Sequence, residues 1–136
     1  MANPTYVFPS IFGPGFNNGV IPGGSLDSAL AIDLQATLNG ITAHAGGGST
    51  TAYPLVYGYN HVSTCASNND SVLLPVAKIG ASVTVMNGST STVAVFPQTA
   101  DAINGGTAGV SITQANEVHA IYCCPIAGNW FRIKSA

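Results

Sequence analysis

Three histidines, five acids and three cysteines are the side chains that could bring chemistry to this 136-residue chain. His44, His61 and His119 fall in segments of different character. They form none of the HxH, HxxxH or HExxH spacings that aim two imidazoles at one ion. Asp27, Asp33, Asp70, Asp101 and Glu117 show no spacing that pairs two carboxylates for acid and base work. There is no GxSxG elbow to expose a nucleophilic serine, and no CxxC. Gly46-Gly47-Gly48 lacks the Lys-Ser/Thr that completes a phosphate loop. The sequence therefore predicts no catalytic residue, no metal, no cofactor and no enzymatic activity.

The remaining reactive and aromatic groups read as structure or as a binding surface. Three cysteines cannot all pair within one chain, and the adjacent Cys123 and Cys124 point to opposite faces of a strand, so free, mostly buried thiols are expected. Tyr53, Tyr57 and Tyr59, with Leu55 between them, recur at period two. They form either one face of a strand, with Pro54 restricting it to an edge or a strand start, or a platform on which sugar rings stack. Trp130 follows a Gly-Asn turn and precedes Phe131 and Ile133, which suits a core plug at the end of a last strand.

Three kinds of segment must position these groups. Residues 1–25 are interrupted by Pro4, Pro9, Pro14 and Pro22, which exclude helix. Their aromatic content is too high for a plain linker. The expectation is an extended N-terminal arm that orders against a partner, with Tyr6, Phe8, Ile11, Phe12 and Phe16 as anchors. Residues 26–41 read as one short helix or a connecting segment. Leu26, Leu30, Leu34, Leu38 and Ile41 make an apolar stripe, Ser25 is an N-cap, and Gly40 is a stop. A looser alternation over 31–36 competes as strand. Residues 42–136 read as an antiparallel β-domain. Ser82 to Met86 alternates polar and apolar, Asn87-Gly88 suits a tight hairpin turn, and Thr92 to Phe96 supplies the return strand before Pro97 ends it. Ile103-Asn104-Gly105-Gly106 and Ala127-Gly128-Asn129 mark later turns.

Composition limits the partners. Charged residues make up 6% of the chain, where about 25% is ordinary for a soluble domain. With three Lys+Arg and a net charge of −2, the chain lacks the clustered cations that phosphate binding requires, so nucleic acid is not expected. No stretch is long and apolar enough for a transmembrane helix, and the N-terminus lacks the basic and apolar regions of a secretory signal. No membrane partner is predicted. So few charges leave little repulsion between copies, which suits a subunit whose surface is largely buried in an assembly.

One resemblance rests on the framework residues. Leu74-Pro75, Val83-Thr84-Val85, Asn87-Gly88-Ser89-Thr90-Ser91-Thr92-Val93-Ala94-Val95, Phe96-Pro97, Ile103-Asn104-Gly105-Gly106 and Gly128-Asn129-Trp130 occur in that order. From Leu38 to the C-terminus the chain resembles a module of tailed-bacteriophage virion structural proteins, of the capsid decoration (cement) or head-fibre β-domain type. The resemblance implies an antiparallel β-sandwich, jelly-roll-like, made in the host cytoplasm and located on the capsid exterior. It implies a homotrimer that binds the major capsid protein and stabilises the head. The alternative role is a tail or head-fibre component that recognises host-surface glycan through Tyr53, Tyr57 and Tyr59.

Overall fold

The computed structural model describes residues 36–135. The arm, with Tyr6, Phe8, Ile11, Phe12 and Phe16, lies outside the described residues, as does most of the 26–41 segment. The part of that segment within them is strand. β1 spans Ala36–Thr42, and among the described residues there is no helix. Gly40, expected to stop a helix, instead has φ +75° at an irregularity where the register shifts between Leu38 and Ile41. A glycine in that conformation is what a bulged strand accepts without strain. The Thr37-Leu38-Asn39 stretch adds little helical propensity to oppose it.

The chain then winds back and forth between two sheets. β2 (Tyr53–Pro54), β4 (Asp70–Leu73) and β6 (Val93–Phe96) alternate along the sequence with β3 (Gly58–Thr64) and β5 (Ser82–Asn87). β1, β3 and β5 pair in parallel in one sheet, and β2, β4 and β6 pair in parallel in the other. Each turn of the coil therefore gives one strand to each sheet. Parallel strands need a long crossover; here the crossover between β3 and β5 is β4 itself. Four later strands close the stack: β7 (Ala102–Ile103), β8 (Ile112–Gln114), β9 (His119–Ile126) and β10 (Asn129–Lys134). β8 runs antiparallel to β6, β9 antiparallel to β5, and β10 antiparallel to β9. The result is a six-stranded sheet ordered β1-β3-β5-β9-β10-β7 and a four-stranded sheet ordered β2-β4-β6-β8.

This overturns the expected antiparallel jelly-roll sandwich. The fold is a β-solenoid-like stacked coil with mixed, mostly parallel strands. The period-two pattern of Ser82 to Met86 locates a strand but carries no direction, since parallel and antiparallel strands alternate alike. The error lay in the turn. Asn87-Gly88 does not fold β5 back onto β6; it turns the corner into the other sheet. Asn87 is fully buried, and its amide donates to the carbonyls of Ser91 and Ala115 at 2.9 Å each. Its Oδ1 accepts from Ser89 N and Oγ. The side chain thus takes the corner's backbone groups out of reach of a hairpin ladder.

The core lies between the sheets. β5 alternates outward and buried, and Val83 and Val85 lie beside Gly58 and Asn60 of β3 on one side and Tyr122 and Ala120 of β9 on the other. Val72, Val93 and Val95 face them from the second sheet. Burying each such valine contributes about 1.5–3 kcal/mol. Buried polar side chains brace the corners. Asn60 donates to Val56 O at 2.8 Å and accepts from Val56 N at 3.0 Å. Gln114 donates to Val85 O and Val118 O and accepts from the Tyr122 hydroxyl at 3.1 Å. Tyr122 and Gln114 belong to different sheets, so this bond ties them across the core. Trp130 fills the core as expected, at 0% exposure, and its Nε1 has no hydrogen-bond partner among the described residues.

Candidate functional site

The groups singled out for chemistry are dispersed or engaged. His61 Nδ1 lies 2.7 Å from Asn39 Oδ1, while His44 and His119 are exposed at separate places. Among the described residues no three His, Cys, Asp or Glu side chains converge in a way that could hold a metal ion. Asp70 is buried and accepts from Ser67 N at 3.0 Å and Gly46 N at 3.4 Å. Asp101 is buried and accepts from Ala77 N at 2.7 Å. Both carboxylates therefore hold loops in place.

The cysteines are free, with Cys65 and Cys124 buried and Cys123 half-buried. Burial pushes the Cys65 thiol above its usual range, partly offset by a hydrogen bond with Ser89. Burial likewise raises Cys124, whose Sγ contacts Ile126 O at 3.1 Å. Raised thiol values keep both protonated and weakly nucleophilic.

The tyrosine row does not form one strand face. Tyr53 lies on β2 of the four-stranded sheet and Tyr59 on β3 of the six-stranded sheet, with Tyr57 in the connection between them. Tyr57 donates its hydroxyl to Val76 O at 2.8 Å, and burial, reinforced by Asp101, raises its pKa. Tyr53 and Tyr59 remain exposed, on different sheets.

Two outward surfaces are built where no single motif pointed. The first is the outer face of the six-stranded sheet. Strand register lines up Thr37, Tyr59, Thr84, Ile121 and Ile133 in one row across five strands. His61, Met86 and His119 form a second row, and Ser82, Cys123 and Phe131 a third. Ile133 is 63% exposed, Tyr59 49% and Ile121 43%. None of the residues in these rows is Lys, Arg, Asp or Glu. Sequence reasoning found the alternation of β5 but not this surface, because the rows exist only once the strand register is known.

The second surface is an open groove of about 530 Å³ on the four-stranded sheet, between the 44–51 loop and β8. Its walls include Gly46, Gly47, Asn68, Asn69, Phe96 and Thr113. Ser67-Asn68-Asn69-Asp70 reads from the sequence as a turn, and it is one: Asp70 N donates to Ser67 O at 3.3 Å. Asn69 within it has φ +68°. That conformation is uncommon for a residue other than glycine, and asparagine is among the few that tolerate it. Nothing in the sequence signals that this turn borders a groove.

A scan against family models finds none that matches this chain, and comparison with curated proteins likewise finds no match.

Proposed function

We propose that this chain is a structural, assembly-forming subunit, and in its most concrete form a decoration protein on the outside of a tailed-phage head. The observation that carries the reading is the outer face of the six-stranded sheet. Ile121, Ile133 and Tyr59 stand exposed there on three of its strands, in a row across five strands that carries no formal charge. A solvated sheet face ordinarily alternates toward charged and polar residues. A broad, uncharged face with exposed isoleucine and tyrosine side chains is the kind of surface that protein partners cover. The framework resemblance to virion modules and the low charge content of the whole chain support the same reading.

In this reading the large face packs copies into a homotrimer, and the aromatic arm with Tyr6, Phe8, Ile11, Phe12 and Phe16 anchors each copy to the major capsid protein. A protein that binds the assembled lattice but not free subunits stabilises the lattice by its own binding free energy. Aromatic anchors in grooves supply most of such energy. Three linked arms raise the effective affinity without any single strong contact.

The test is immunogold electron microscopy of purified phage particles with antibody against this protein. Label over the head facets is the expected result. Label confined to the tail tip, or particles without label, overturns the head-decoration role. Deleting residues 1–16 should then leave a folded trimer that no longer attaches to heads. Truncated protein that still decorates heads fully would sink the role of the arm.

A further inference from the structure

The groove on the four-stranded sheet has a chemistry of its own, independent of how copies assemble. Its floor follows from strand register. Ala94 and Thr113 sit side by side on β6 and β8, and their small side chains leave depth. Leu73 and Phe96 pair in the next row, and Phe96 is half-buried where it borders the groove. The floor is therefore apolar, with one aromatic ring.

The rim is polar and held in place. Asn68 Oδ1 accepts from Thr92 N at 3.0 Å and from Thr92 Oγ1 at 3.3 Å. A backbone N–H can only donate, so this bond fixes which end of the amide is oxygen. Asn69 Oδ1 lies 3.4 Å from each of the Thr92 and Thr113 hydroxyls, and its backbone N–H donates to Thr92 O at 2.8 Å. The Asn68 amide oxygen is thus engaged by the scaffold, which leaves its NH2 group free to donate at a residue that lines the groove, while the Asn69 amide is held beside two hydroxyls of the same wall. The loop opposite is tightly seated, since a Cβ on Gly47 would stand 2.9 Å from Asn69 O. Asp70, the one ionisable side chain of the wall, is 1% exposed and engaged with Ser67 N and Gly46 N. Neither lysine nor arginine lines the groove.

We propose that this groove binds a neutral saccharide. A pyranose ring presents an apolar face, which fits the Ala94–Phe96 floor, and a rim of hydroxyls, each a donor and an acceptor, which fits the Asn68 and Asn69 amides and the Ser111 and Thr113 hydroxyls. An anionic ligand finds no cation there. A purely apolar ligand would leave the amide donors without partners on the desolvated side. The volume lies within the ~300–1,000 Å³ common for ligand sites. Donors already held in position reduce the ordering cost of binding.

The test titrates the full-length protein with short neutral oligomers of glucose, mannose and N-acetylglucosamine, and with oligogalacturonate as the anionic control, followed by backbone amide shifts in nuclear magnetic resonance. Saturable shifts at Asn68, Asn69 and Thr113 with a neutral oligomer, and none with the anion, are expected. Asn69→Gly keeps the positive φ while removing the amide, and Asn68→Ala removes the second donor. Each should weaken binding about tenfold while the fold is retained. No saturable shift with any neutral oligomer, or equal binding by both variants, overturns the proposal. Head labelling and trimer formation are read separately, so failure here leaves the assembly reading standing, and failure there leaves this one.

Discussion

The outer faces of the two sheets cover the same core, yet they treat hydrogen-bonding groups in opposite ways. On the six-stranded sheet the outward rows include Met86, Ile121, Phe131 and Ile133, whose side chains have nothing to bond. On the four-stranded sheet Asn68, Asn69, Thr92 and Thr113 form a bonded set at the edge of an open groove. In a coil whose inward positions are dictated by stacking, the outward positions are free to vary. What stands there reflects what the face meets: a broad apolar surface suits another protein, and a narrow polar rim suits a small polar ligand.

The comparison breaks first at the corner both sheets share. Asn87→Ala removes a side chain that holds the carbonyls of Ser91 and Ala115 and accepts from Ser89. Buried groups left without partners cost about 1–3 kcal/mol each, so a loss of about 3 kcal/mol or more in chemical denaturation is expected, with both faces lost together. A variant that unfolds within error of the parent would show that the corner does not hold the coil.

A change confined to one face comes next. Gly47→Val places a branched side chain at φ +50° with its Cβ against Asn69 O. About 2 kcal/mol of destabilisation is expected from the left-handed backbone and the clash. The groove should lose ligand binding, while sedimentation shows unchanged self-association. Parallel loss of both properties would mean that the faces are coupled.

The bond between the sheets gives a smaller, pH-dependent effect. Burial holds the Tyr122 hydroxyl well above its ordinary value, and nearby Arg132 only partly offsets this. Above pH ~10 the unfolded chain releases this proton while the folded chain keeps it, so the unfolded state binds fewer protons and stability falls as pH rises. The slope from this group is about 1.4 kcal/mol per pH unit until the folded-state value is reached. Cys65 and Cys124, also raised by burial, act in the same direction. Melting temperature followed from pH 8 to 11 should drop, and Tyr122→Phe should flatten the decline. An unaltered slope in that variant would assign the alkaline loss elsewhere.

Strand positions were legible because alternation is local. Val83 and Val85, Ala120 and Tyr122, and the Trp130 plug all follow from period two and a terminal turn. The loss of direction was equally physical. Asn87-Gly88 is compatible with a hairpin, and only the buried amide of Asn87, bonded to residues as distant as Ala115, selects the corner instead. Leu38 and Ile41 fit a leucine stripe by spacing, but in β1 they sit on either side of a bulge at Gly40. The groove was not readable at all, since Asn68 and Asn69 meet Thr92 and Thr113 only through the stacking of three strands. The tyrosines misled for the converse reason: regular spacing continued across a change of sheet.

Trp130 is the single tryptophan of the chain, and it sits in β10, the last of the described strands. Its indole N–H is buried without a partner among the described residues, so the chromophore lies in a dry, rigid setting. The native protein should therefore emit toward the blue and resist quenching by dissolved iodide. Because β10 pairs with β9 and β7, that optical signal marks the docking of these strands on the coil. The molecule thus carries a built-in lamp for the integrity of this end of its larger sheet, readable without any label.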